Sequence, residues 1–187
     1  MTALRTAALG IALLTALLLA TVVAPTFAVF GQRPDLLALL VIAVAYHDGP
    51  VSGARVGFTA GLIGDLLSGS SGPVGVGALI LLLVGHGAGV IRPYLSGTAL
   101  LGEVALTAGG TLAAVLGYGF IGLLLDTAPS DPMLALQTAL IVASYNAVLA
   151  PFAFRLVAKL DARFPRSALA PVSPWSPGQV SGQAPRV

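Results

Sequence analysis

Residues 53–79 read GARVGFTAGLIGDLLSGSSGPVGVGAL. Gly53, Gly57 and Gly61 recur at steps of four, so on a helix they form one row with almost no side chains, and a second backbone can approach it closely. Asp65 is the next member of that row. A carboxylate so near apolar surroundings needs an aqueous edge or a partner. A polar Gly/Ser turn follows, and then a second apolar run. The stretch therefore predicts a tightly packed helical hairpin with an acidic residue at its tip.

Composition places this hairpin in a bilayer. Hydrophobic residues make up 57% of the 187-residue chain and charged residues only 9%, against roughly a quarter charged in soluble domains. Residues 6–32 and 104–125 carry no charge, and each exceeds the roughly 20 apolar residues needed to cross about 30 Å of hydrocarbon. There is no cysteine, so disulfides, thiolate metal sites and thiol nucleophiles are excluded. The few charges give no basic field for nucleic acid. Residues 1–28 have some features of a secretory signal, with Arg5 before an apolar run and a loose resemblance of residues 26–28 to a small-residue cleavage site. The run is longer than a signal core of about 7 to 15 residues, and a retained first helix is expected.

Pro34, Pro50, Pro73, Pro93, Pro129 and Pro132 fall between apolar runs, where proline is tolerated best. Reading between them gives an all-α integral membrane protein with about six transmembrane helices, at 6–30, 34–46, 51–67, 73–91, 98–125 and 132–157. Pro25 and Pro151 are expected to kink or end their helices. Helices two and three are short, about 20 and 25 Å at 1.5 Å per residue, so each is tilted little, buried among neighbours, or part of a hairpin that does not fully cross. The polytopic domain covers 1–163. The tail 164–187, rich in Pro, Ser, Gly and Gln, is expected to be disordered, with Trp175 as the one aromatic beyond residue 167. Starting inside, six helices place eight of the nine cations on the cytoplasmic side and only Arg33 outside, a strong positive-inside bias. Asp35, Asp65, Asp126 and Asp131 gather outside.

The chemistry-bearing residues read mostly as structure. Gly69, Ser70, Ser71 and Gly72 match the GxSG pattern of rhomboid intramembrane serine proteases, and His86 is followed by Gly89 as in that family's histidine motif. Ser71 lies in the outer turn, whereas His86 is about 13 residues along the next helix, roughly 20 Å deeper. A general base must lie within about 3 Å of its nucleophile, so no catalytic residues are assigned. His47 and His86 lack metal-ligand spacing, and neither a metal nor a cofactor is expected. His86 and Glu103 enter at comparable depth on consecutive helices and are expected to form a buried polar pair, with Arg92 nearby. Asp65 is expected either to pair with Arg33 across the outer face or to cap the Gly/Ser turn through backbone amides. The row Gly53, Gly57, Gly61, Asp65 is the leading candidate for a helix-packing or partner interface. Further small-residue rows follow at Gly85 and Gly89, and at Ala105, Gly109, Ala113 and Gly117; most of these contacts are expected to be internal, with a minority open to a homodimer or a partner's single helix. Gln137, Ser144 and Asn146 are expected to hydrogen-bond across helices.

The segment beginning Pro34, Asp35, Leu36, the Gly49-Pro50 turn, the run GFTAGLIGDLLSGSSGPVGVGAL at 57–79, and Tyr145, Asn146, Ala150 and Pro151 followed by basic residues together resemble the rod shape-determining protein MreD family. The resemblance covers residues 6–163. It implies a non-enzymatic component of the bacterial inner membrane with both termini cytoplasmic, belonging to the cell-elongation machinery that supports peptidoglycan synthesis. The implied partners are an MreC-like single-span coiled-coil protein, an MreB-like actin homologue, and the pair of SEDS glycosyltransferase and class B penicillin-binding protein. It also implies a fold similar to the S components of energy-coupling-factor transporters, which makes vitamin binding the alternative function. Six per cent aromatic residues and few polar groups inside the helices fit that alternative poorly.

Overall fold

The structure is a computed structural model, and it describes residues 3–18, 31–68, 74–95, 99–126 and 131–163. Six α-helices follow one another: α1 Ala3–Leu18, α2 Leu36–Asp48, α3 Pro50–Ser68, α4 Val76–Ile91, α5 Ala99–Leu124 and α6 Pro132–Arg163, with a 3-10 turn Arg92–Leu95 between α4 and α5. The GxSG turn with Ser71, residues 26–28, Pro25, and the tail with Trp175 lie outside the described residues, as does the second half of the first expected helix.

The organising element is α2. Every residue from Ala38 to Ala45 is buried, so this helix is apolar all round and can only be a core helix. Its 13 residues span about 20 Å, short of the hydrocarbon thickness of about 30 Å. Of the options left open by its length, burial among neighbours is the one realised. Asp35 caps its start, Oδ1 accepting from the Ala38 N–H at 2.9 Å. Gly49 ends it with φ +84, and the Gly49 N–H donates to the Ala45 carbonyl at 2.9 Å. This left-handed residue turns the chain within one position, and Pro50 opens α3 where its missing N–H removes no helix bond.

Two hairpins pack around α2. On one side α3 and α4 share the most extensive contact in the molecule; on the other, α5 and α6 pack together and both reach α2, while α1 leans on α2 from the flank. Contact between α4 and α5 is thinner, and a groove remains between them. Among the described residues, three helices are long and apolar enough to cross a membrane: 76–95, 100–124 and 132–163. Large apolar side chains on their outer faces, such as Val148, Phe152, Phe120 and Leu83, are exposed, which suits a lipid-facing surface.

The last helix runs through Pro151 and continues to Arg163, six residues past its expected end. The extension carries Lys159 and Arg163 on exposed positions, and Arg155 just before it is exposed too. Pro151 does not end α6 because removing one intrahelical bond is tolerable when the flanking turns are held: Ala150, Ala153 and Phe154 are all buried against the core.

Alternation of the helices gives the bundle two chemically distinct ends. Arg33, Asp35, Asp65, Asp126 and Asp131 lie at one. Asp48, Arg92, Glu103, Arg155, Lys159, Asp161 and Arg163 lie at the other.

Candidate functional site

The row that dominates the sequence is consumed inside the protein. A Cβ on Gly53 would collide with the Gly85 carbonyl oxygen, on Gly57 with the Leu81 carbonyl oxygen, and on Gly61 with the Gly77 carbonyl oxygen. Each four-residue step along α3 meets a four-residue step back along α4, and the relation is reciprocal at Gly85, where a Cβ would strike the Gly53 carbonyl. Gly89 continues the seam against the backbone of Pro50. Only backbone fits here, and the close approach is what holds two helices together in lipid, where hydrophobic burial offers no drive. The row Gly53, Gly57, Gly61 therefore faces α4 and is covered by it.

Asp65 completes the seam. Its Oδ2 accepts from the Gly75 N–H at 2.8 Å and the Gly77 N–H at 2.9 Å. These are amides at the start of α4, where donors lack intrahelical partners and the helix dipole favours an anion. Gly75 holds the N-cap in the left-handed region, φ +106. Of the two roles expected for Asp65, amide capping is the one adopted; it caps the amides just beyond the Gly/Ser turn. Arg33 is exposed and makes no ion pair with Asp65 among the described residues. The Tyr118 hydroxyl from α5 lies beside the same corner, because a Cβ on Gly77 would meet both Tyr118 and Asp65.

His86 and Glu103 are not a buried pair. His86 is exposed on α4, Glu103 is half-buried on α5, and no hydrogen bond or ion pair joins them among the described residues. Equal depth on consecutive helices was the basis for expecting the pair. The α4 face turned toward α5 carries Ile80, Val84, Gly87 and Ile91, and His86 lies off that face. Arg92 is placed elsewhere too. Its guanidinium sits 5.5 Å from the centre of the Tyr46 ring, and Nη1 donates to the His47 carbonyl at 3.4 Å, at the C-terminal end of α2. Tyr46 also meets Phe154 of α6 edge-on, with ring centres 5.1 Å apart.

Of Gln137, Ser144 and Asn146, it is Asn146 that bonds across helices among the described residues. Its Nδ2 donates to the Asp35 carbonyl at 2.9 Å and to Thr111 Oγ1 at 3.0 Å, and both Asn146 and Thr111 are fully buried. Ser144 donates to the Leu140 carbonyl of its own helix at 2.8 Å, and Gln137 is exposed. Sequence reasoning missed Thr111 and the buried Thr107, although their four-residue spacing on an otherwise apolar helix is the signal that finds them. Asn146 thus pins the N-terminal end of α2 while Arg92 touches the other. Asn146→Leu is expected to lower the stability of the detergent-solubilised protein by about 1 kcal/mol, read as a lower unfolding midpoint, whereas Ser144→Ala should leave it unchanged.

A groove of about 530 Å³ opens between α4 and α5. Its walls are Gly87 and Leu83 on one side and Gly109, Ala113 and Gly117 on the other. Gly110 of the same wall is packed from behind by Ile42 of α2, whose Cδ1 would lie 2.7 Å from a Cβ placed there. Cβ atoms on Gly87 and Gly109 would meet nothing within 4 Å. This is the reverse of the α3 seam: small residues at four-residue steps with no neighbour over Gly109. Among the described residues no group of three or more His, Cys, Asp or Glu residues is placed to hold a metal ion.

Compared with known families, the chain matches the family model described as rod shape-determining protein MreD over residues 2–160. No curated protein and no solved structure matches it.

Proposed function

Because the chain belongs to the rod shape-determining protein MreD family, and so to a family that acts in rod-shape determination, we propose that it is a non-enzymatic scaffold of the cell-elongation machinery in the bacterial inner membrane. It binds an MreC-like single-span protein and, with it, supports an assembly containing an MreB-like filament, a SEDS glycosyltransferase and a class B penicillin-binding protein. The observation that carries this reading is where the deep polar groups are spent. Asp65 is bonded to the amides of α4 and the buried Asn146 to Asp35 and Thr111, while at the surface Arg92 reaches the end of α2. These bonds stabilise the protein's own backbone, and the surface left over is apolar and rich in small residues, which suits helix association better than chemistry.

Charge supports the orientation. The end bearing Arg92, Arg155, Lys159 and Arg163 faces the cytoplasm under the positive-inside rule, with both termini on that side. The alternative of a vitamin carrier needs convergent polar groups in a cavity, and the walls of the α4/α5 groove are glycine, alanine and larger aliphatic or aromatic residues.

The test is genetic and biochemical together. Rod-shaped cells depleted of this protein should round up, and the wild-type protein solubilised in mild detergent should retain the MreC-like protein. Cells that stay rod-shaped on depletion, with no partner retained, would overturn the reading.

A further inference from the structure

We propose that the groove between α4 and α5 is the seat of a partner's single membrane-spanning helix, one that carries a basic residue at its cytoplasmic flank. The proposal rests on the scaffold reading and assigns its contact surface. The α3/α4 seam shows how this protein joins helices, with glycines at four-residue steps laid against a neighbour's backbone. On α5 the same spacing recurs at Ala105, Gly109, Ala113 and Gly117, yet Ala105, Gly109 and Ala113 are exposed and nothing lies within 4 Å of a Cβ on Gly109. From Leu106 to Ile121 the α5 wall runs about 22 Å at 1.5 Å per residue. That is most of the roughly 30 Å of hydrocarbon, so the groove accommodates a helix standing in the membrane.

Charge selects the occupant. Glu103 lies one turn before Leu106 on the same face of α5, half-buried, and makes no hydrogen bond or ion pair among the described residues. It stands at the end that also carries Asp48, Arg92, Arg155, Lys159, Asp161 and Arg163. A carboxylate at the membrane edge is stabilised by a cation, and spanning helices carry Lys or Arg at their cytoplasmic flank.

The chain has no cysteine, so single cysteines report contacts cleanly in the full-length protein. The probe is the co-expressed MreC-like protein with one cysteine moved through its spanning helix. Ala113→Cys in the groove should form oxidative crosslinks to it, while Val148→Cys, 81% exposed on α6, should form none. Gly109→Leu should fill the groove and lower partner recovery about tenfold with an unchanged unfolding midpoint. Glu103→Lys should lower recovery more than Glu103→Gln. Crosslinks confined to Val148→Cys, or full recovery with Gly109→Leu, would overturn the groove assignment while leaving the scaffold reading intact. Absence of the partner from wild-type preparations would instead remove the scaffold reading itself. If mass spectrometry finds a phospholipid that Gly109→Leu expels while partner recovery is unchanged, the occupant is lipid and the proposal fails.

Discussion

Gly57→Leu is expected to abolish the folded protein rather than to weaken one contact surface. Gly57 is buried midway along α3, and even a methyl group there would overlap the Leu81 carbonyl oxygen and crowd the Leu82 nitrogen. Those atoms belong to the backbone of α4, which cannot rotate aside as a side chain can. The helices would have to separate along the whole seam, losing the matched approaches at Gly53 and Gly61 as well. Overpacking of a rigid core costs about 1–3 kcal/mol and sometimes more; with backbone on both sides the upper part of that range applies. At about 3 kcal/mol the ratio of folded to unfolded protein falls more than a hundredfold. Size-exclusion profiles and thermal unfolding in detergent check this, with Gly109→Leu as the control of identical chemistry on an open surface. A Gly57→Leu protein that purifies and melts like wild type would show that the seam is not closed as described. The consequence for partner binding is direct: loss of a partner from Gly57→Leu reports the collapse of the α3/α4 hairpin and says nothing about where that partner sits.

Asp65→Ala should be the most damaging substitution of a charged residue. The carboxylate accepts from two backbone amides across the hairpin, at 2.8 and 2.9 Å, and hydrogen bonds to a charged group contribute about 1.5–3 kcal/mol. Removing it leaves the Gly75 and Gly77 amides without their acceptor at a half-buried helix start, and a destabilisation of roughly 3 kcal/mol follows. Asp65→Asn retains one acceptor oxygen and loses the charge that complements the helix dipole, so it should fall between wild type and alanine. Arg33→Ala should be silent in the same unfolding assay. A double charge reversal at Arg33 and Asp65 should be as unstable as the Asp65 reversal alone, because the partner of the carboxylate is the backbone. Loss of stability in Arg33→Ala equal to that of Asp65→Ala would contradict this assignment.

Much of the architecture was legible from the prolines and glycines. Proline favours boundaries because it lacks an N–H and fixes φ; Pro50 and Pro132 begin α3 and α6 as that chemistry requires, whereas Pro151 lies inside α6. The glycine steps on α3 were legible as a surface for close approach, since the period of a helix decides which residues share a face. Asp65 was legible as an acid needing a partner. Which partner it takes was not, because amide donors at a helix start are available in every sequence and leave no residue-type signal.

The sequence by itself determined that this protein lives in a membrane, that it is helical, and which residues are aligned along each helix, since composition and the 3.6-residue period are local properties. Only the tertiary structure decided what each face meets. It turned Gly53, Gly57 and Gly61 onto α4, left Ala105, Gly109 and Ala113 open, drew Asn146 to Asp35 across 111 positions of chain, and sent His86 and Glu103 in different directions. In a soluble protein, polarity distinguishes the covered face of a helix from the open one. In lipid both faces are apolar, so the choice between two glycine rows rests on how non-adjacent helices cross, and no local pattern records that.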